Sequence, residues 1–208
     1  MLTNSLTISP NNEEKSTFLI SAIILIITSI ILYTFQSLSL PLLEFNRSAI
    51  TNGGCWRLLT GNIMHTNHWH LLFNLAGLVM LTYLFKHLMT NIHFVVFSII
   101  NAILVSILIY YFTLTIEYYV GLSGYLHGLF VYGCLIEINK GMKGSWLLLI
   151  GVSAKIGYET IYGASSEMSE LINASVATDA HLFGALIAVF QFGMLMVCSQ
   201  LRRNSLVG

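Results

Sequence analysis

The chain has 208 residues, of which 56% are hydrophobic and only 9% charged, with a formal net charge of zero. A soluble domain of this size carries about a quarter of its residues as charged side chains, so a water-soluble globule is excluded. The neutral balance gives nucleic acid no basic surface to grip, and a mean hydropathy of +0.78 points to residence in the lipid bilayer.

Six apolar blocks are read in chain order, at residues 18–35, 68–85, 93–113, 122–138, 145–161 and 174–200. Each is near the roughly 20 residues that a hydrocarbon core of about 30 Å requires. The pattern predicts an all-α membrane protein, a six-transmembrane helical bundle. Its core would span residues 18–200, between a cytoplasmic leader (1–17) and a basic tail (201–208). The leader contains TISPNNEEKS, which lacks the basic start and small-residue cleavage site of a signal peptide, so the first block reads as a retained span. Lys15, Lys86, Lys140, Lys143, Arg202 and Arg203 fall on one side of a six-span arrangement and Arg47 and Arg57 on the other. The positive-inside rule then puts both termini in the cytoplasm.

The connection between the first two blocks, residues 36–67, is long and keeps apolar stretches, LPLLEF and CWRLLTGNIM. It is expected to lie on the outer interface, with Trp56 at the headgroup level and Arg57 reaching polar atoms. Cys55, Cys134 and Cys198 fall at different depths, and none has metal-ligand spacing, so a disulfide framework is not expected.

Blocks two, four and six run from outside to inside, so their first turns share one leaflet. Those turns carry His70 and Asn74, then Ser123, then His181. Each lies about 5 to 10 Å from the outer boundary at 1.5 Å per residue. Polar side chains at such depth face a bundle interior or a wet cavity. Ser123 sits between Gly121 and Gly124, and Gly124 with Gly128 makes a small-xxx-small pair that lets another helix approach. A serine hydroxyl needs a base to become a nucleophile, and two histidines compete for the task. His181 lies in ATDAHLFGALIA beside Gly184, on a thin helix face. His127 lies one turn after Ser123 on the same helix.

His70 and Asn74, four residues apart, share a helix face. They read either as donors to an oxyanion or as a helix-to-helix hydrogen-bonding pair. His65, His68 and His70 form the imidazole-rich HTNHWH, but no HExxH is present, so no metal and no cofactor is expected. Lys155 and Glu159 in the fifth block read as an internal ion pair. A sharper alternative joins Glu159 to Glu167 and Glu170 in favouring a substrate with a positive element.

Together GLSG around Ser123, the pattern of His65, His70 and Asn74 in HTNHWHLLFN, the Trp56-Arg57 pair and His181 with Gly184 resemble the rhomboid intramembrane serine proteases, from Cys55 to Ala188. GLSGYLHGLF and AHLFGAL look like the rhombosortase branch. That resemblance implies a Ser-His dyad in which His181 takes the proton of Ser123, with no orienting carboxylate required. The oxyanion would be held by His70 and Asn74 with the backbone N–H groups of Ser123 and Leu122. Gly121, Gly124, Gly128, Gly184, His65, His127, Trp56 and Arg57 would support the site. It also implies a wet cavity bounded by spans two, four, five and six, opening to the periplasm of a bacterial inner membrane. The implied partner is a membrane-anchored protein with a transmembrane helix, a secreted precursor with a C-terminal GlyGly-CTERM tail. An inactive helix-binding relative and a sortase-like transpeptidase are the alternatives. Gly184 is followed four residues later by Ala188 where the family has a second glycine, a methyl group more at the interface.

Overall fold

The structure, a computed structural model, describes residues 12–207. Helix α1 (Asn12–Thr34) runs into α2 (Gln36–Leu43) through a bend of 108° at Phe35. The Ser39 hydroxyl bonds the carbonyls of Leu32 and Phe35 and so holds the corner. A two-residue strand β1 (Phe45–Asn46), the short helices α3 (Arg47–Thr51) and α4 (Arg57–Thr60) and a 3-10 turn (Gly61–Ile63) complete the first connection. Then come α5 (His68–Phe85), α6 (Asn91–Phe112), strand β2 (Tyr118–Tyr119), α7 (Ser123–Asn139), α8 (Gly144–Tyr162), α9 (Ser166–Ile172) and α10 (Thr178–Val207).

The helix starts follow from their capping residues. The side chains of Asn67, Thr90 and Ser165 accept the backbone N–H groups of His70, His93 and Met168. Each satisfies one of the four donors that a helix start leaves unpaired. Helix α9 ends on Asn173 in the left-handed region, φ 53°.

Among the described residues, three helices, α5, α6 and α10, are long and apolar enough to cross a membrane, and the bent pair α1 and α2 makes a fourth if counted as one span. The described residues form an all-α fold apart from the short ribbon. Helix α7 has 17 residues, about 25 Å at 1.5 Å per residue, and is the most enclosed helix, with eleven buried positions. It is short for a lipid-facing span because it is packed against protein on most sides. The first apolar block begins at Phe18 in the sequence, whereas the helix begins at Asn12, since hydropathy marks the lipid boundary and not the first helical turn. Residues 1–11 of the expected leader lie outside the described residues; the last eight residues, as far as Val207, continue α10.

The first connection is a folded unit, and Arg57 reaches polar atoms of its backbone. Arg57 is buried, and its guanidinium donates to the carbonyls of Pro41 and Glu44 at the end of α2, while the Trp56 indole N–H donates to Leu42. Arg47 bonds the carbonyls of Ile109, Tyr110, Thr113 and Ile116, closing the open end of α6. Strand β1 pairs antiparallel with β2, Phe45 opposite Tyr119 and Asn46 opposite Tyr118. This ribbon fixes the segment that leads into α7.

The main core is built by α5, α6, α7, α8 and α10 around Leu78, Phe85, Phe97, Tyr125 and Leu129. Helices α7 and α10 make the closest pair. A Cβ placed on Gly184 would lie 1.9 Å from the carbonyl oxygen of Gly124, and one on Gly128 would lie 2.7 Å from the carbonyl of Gly184. Backbone therefore rests on backbone where the two helices cross.

Candidate active site

Ser123 is the first residue of α7, and no side chain caps that start. The N–H groups of the first turn therefore have no partner inside the helix and carry the positive end of its dipole. The chain reaches this point through Gly121, whose φ of +113° is open to glycine and strained for other residues. The Gly121 N–H bonds the carbonyl of Gly61, which pins the approach to the first connection.

Ser123 is half-buried and lies on the wall of a cavity of about 500 Å3. That cavity is lined by α2, Thr66, His70, the segment from Thr115 to Val120 and the stretch from Ile172 to Ala177. Glu44 and Glu117 bring two carboxylates to it. The depression expected between spans two, four, five and six is thus roofed mainly by connections, with α8 and α10 behind Ser123 rather than along the wall.

His181, in the first turns of α10, is buried. Its Nδ1 lies 2.9 Å from Glu159 Oε2, and its Nε2 is buried with no hydrogen-bond partner among the described residues. A carboxylate only accepts, so Nδ1 carries a proton, and in the neutral ring Nε2 keeps its lone pair. The His127 ring is stacked on that of His181, with centroids 4.0 Å apart and planes 19° from parallel. His127 Nδ1 donates to the carbonyl of Ser123 at 2.8 Å, and its Nε2 accepts from Lys155 Nζ at 3.1 Å. Both nitrogens of His127 are therefore committed, whereas His181 has only Nδ1 committed.

His70 and Asn74 share a face of α5 and press against Gly121. A Cβ on Gly121 would lie 2.5 Å from His70 Nε2 and 3.3 Å from Asn74 Nδ2. Asn74 Nδ2 is buried and without a partner among the described residues. The Thr66 hydroxyl gives its proton to the carbonyl of Ile172 at 2.6 Å, so toward His70 Nδ1, 3.1 Å away, it can only accept, whereas the Thr66 backbone N–H points at the same Nδ1 at 3.5 Å and needs its lone pair; the two contacts call for opposite tautomers of His70. The side-chain N–H group of Asn74 is offered beside Gly121 in either tautomer of His70.

His65 is buried edge-on to His70, with ring centroids 5.2 Å apart. Burial first, and the neighbouring His70 second, push its pKa down to about 3, opposed by the Ile63 backbone carbonyl, an acceptor that favours the protonated ring. His68 packs instead on Trp69, outside the site. Asp179 accepts from the Thr113 hydroxyl and joins α10 to the end of α6.

Lys155 and Glu159 form the i,i+4 pair read from the sequence, at 2.7 Å, but their outer contacts are with histidines of α7 and α10. Neither histidine is signalled by anything near them in the sequence. His127, Glu159 and His181 present donor atoms within 4.8 Å of one another, a spacing that a metal ion can bridge. The Lys155 ammonium already supplies positive charge at this cluster. Glu167 lies outside it, in the first turn of α9.

None of the curated proteins compared with the chain matches it. The family model for the rhomboid domain matches residues 52–197, from the first connection through most of α10. That stretch takes in Ser123, His181, His70, Asn74 and the glycine crossing of α7 with α10, and by it the chain belongs to the rhomboid family.

Proposed function

We propose that this chain is an intramembrane serine endopeptidase in which Ser123 is the nucleophile and His181 its base. The observation that carries the reading is the unpartnered Nε2 of His181, held on the helix whose backbone rests on that of α7, while Ser123 opens α7 at a cavity wall. The Ser123 Oγ–H proton passes to His181 Nε2 as Oγ bonds the substrate carbonyl carbon. The imidazolium then returns the proton to the amide nitrogen as the C–N bond breaks. Asn74, with the first-turn N–H groups of α7, stabilises the oxyanion between these steps.

The chain crosses the membrane six times in this reading, α7 and α8 included, with residues 18–200 as the protease core and both termini in the cytoplasm. The site opens to the periplasmic side of a bacterial inner membrane. The substrate is a membrane-anchored protein, and the rhombosortase-like sequences GLSGYLHGLF and AHLFGAL favour a secreted precursor with a GlyGly-CTERM tail.

Labelling by a fluorophosphonate tests the chemistry. Wild type is expected to label and Ser123→Ala and His181→Ala to stay blank; a folded wild type that does not label would leave an inactive helix-binding protein. Mass spectrometry of a GlyGly-tailed protein co-expressed with the chain tests the substrate. A new free carboxylate at a small residue means hydrolysis, an added amine-linked group means transfer, and an unchanged C-terminus removes that substrate.

A further inference from the structure

Four side chains behind Ser123 form one continuous hydrogen-bonded path that ends on the Ser123 carbonyl, and two of them come from α8. Glu159 gives one carboxylate oxygen to His181 Nδ1 at 2.9 Å and the other to Lys155 Nζ at 2.7 Å. Lys155 donates onward to His127 Nε2, and His127 Nδ1 donates to the carbonyl of Ser123 itself. Every donor in this path meets an acceptor. The carboxylate requires Nδ1–H on His181, the carbonyl requires Nδ1–H on His127, and the ammonium fills the lone pair that His127 has left. A Lys-Glu pair one turn apart on a solvated helix face has no need of either histidine.

We infer that Glu159 is a positioning residue of the proposed protease, the acid of a Ser123-His181-Glu159 triad, steadied by Lys155 and His127. The inference rests on the serine protease reading. A neutral imidazole has one proton, and a base needs its lone pair on the side of the hydroxyl. Glu159 fixes that choice by accepting at Nδ1, so Nε2 is the free nitrogen. When Ser123 Oγ bonds the carbonyl carbon, its proton goes to Nε2, and the new positive charge sits 2.9 Å from a carboxylate that stays ionised throughout. The proton leaves Nε2 for the departing amine. In deacylation a water gives its proton to Nε2, its oxygen bonds the acyl carbon, and Ser123 Oγ recovers the proton as it leaves. Lys155 holds the second oxygen of Glu159 and so sets the plane of the carboxylate. His127 accepts from an ammonium and remains neutral, which keeps a like charge off the ring stacked against it. The groups facing His181 are thus His127 from α7, Lys155 and Glu159 from α8, and His70 from α5.

The full chain in detergent, labelled by a fluorophosphonate and with 15N in its imidazoles, tests this. Glu159→Gln keeps the volume and removes the charge. It is expected to slow acylation of Ser123 by roughly 10²-fold or more, since carboxylate-to-amide changes at such sites cost up to about 10⁴. On a membrane-anchored reporter that wild type cleaves, kcat is expected to fall with KM unchanged. Glu159→Asp, which keeps a carboxylate, recovers part of the loss. The 15N shifts of wild-type His181 are expected to show the proton on Nδ1, and those of Glu159→Gln a mixture of tautomers. Labelling of Glu159→Gln at the wild-type rate overturns the inference. So does a wild-type His181 protonated on Nε2, a measurement that needs no variant to fold. If wild type itself does not label, the protease reading falls, while the tautomer still decides whether Glu159 governs His181.

Discussion

The imidazoles of His127 and His181 lie face to face, 4.0 Å between centroids, on two helices whose backbones touch one turn further in. The rings look interchangeable, yet their hydrogen bonds divide them. His127 is held at both nitrogens, by the Ser123 carbonyl and by Lys155, whereas His181 is held at one. His127→Ala is therefore expected to lower fluorophosphonate labelling but leave it measurable, His127→Phe to keep more of it by preserving the stack, and His181→Ala to abolish it. Abolition by His127→Ala with survival of His181→Ala would reverse the assignment of the base.

The crossing of α7 with α10 should not tolerate a methyl group. In Gly184→Ala the new carbon meets the Gly124 carbonyl at 1.9 Å, and no flexible side chain is there to yield. Overpacking of this kind costs about 1–3 kcal/mol, and the helices must part to relieve it. The thermal midpoint in detergent is expected to drop and labelling to vanish with it. Gly193→Ala, on the same helix with nothing within 4 Å of the added carbon, is the control and should stay within about 0.5 kcal/mol of wild type.

Asn74 and His70 are expected to separate by function. Asn74 Nδ2 is a buried donor beside Gly121 with no partner among the described residues, while the His70 ring is already engaged by Thr66 at Nδ1. Loss of one oxyanion donor costs about 10²- to 10³-fold in kcat, so Asn74→Ala should fall by that order, and His70→Ala by less. Equal losses in kcat for the two variants would show that His70 donates as well.

Acid should loosen the first connection through His65. Its pKa in the fold is about 3 against an ordinary 6.5, so the folded chain keeps it neutral where the unfolded chain takes a proton. The stability it contributes is complete above about pH 6.5 and is lost as the pH falls toward 3. The slope is at most about 1.4 kcal/mol per pH unit for one such group. Thermal midpoints measured between pH 7 and 4 should fall less steeply for His65→Gln than for wild type; parallel curves would remove His65 as the cause.

The chain carries its own reporters of sidedness. Cys55 is exposed at the end of the bundle that holds Ser123, and Cys198 is exposed near the far end of α10. In intact spheroplasts an impermeant thiol reagent should label Cys55, and Cys198 only after the membrane is opened. The reverse pattern would turn the proposed topology over.

The apolar blocks and the small residues Gly124, Gly128 and Gly184 made the helices and their tightest crossing legible in the sequence, because lipid burial and close packing leave local, periodic marks. The first connection was not legible as a folded unit. Its helices α3 and α4 are five and four residues long, below the length at which periodicity speaks, and they are held by Arg47, Arg57 and Asn46 reaching distant or capping backbone groups. The bonds from Glu159 to His181 and from Lys155 to His127 were invisible for another reason. Spacing within α8 says that its two charges pair; only the rotation of three helices about their axes says what else they touch. Depth, which brings Ser123 and His181 together in the sequence, was not carried to α8, which ends at Tyr162 on the side where α10 begins and so puts Glu159 level with His181.

A hydroxyl has a single proton to give. While Thr66 gives its own to the carbonyl of Ile172, the last residue of α9, its hydroxyl oxygen asks His70 for an Nδ1–H at 3.1 Å and its backbone N–H asks for a lone pair there at 3.5 Å. Release that carbonyl and Thr66 becomes a donor to His70, whose proton then belongs on Nε2, facing the backbone before Ser123. The posture of a surface helix is thereby written into the chemistry of a buried ring, with one hydroxyl as the scribe. The 15N shifts of His70 in Thr66→Val, which breaks both bonds of the hydroxyl, would read the message: the same tautomers as in wild type would mean that the Thr66 hydroxyl does not set them.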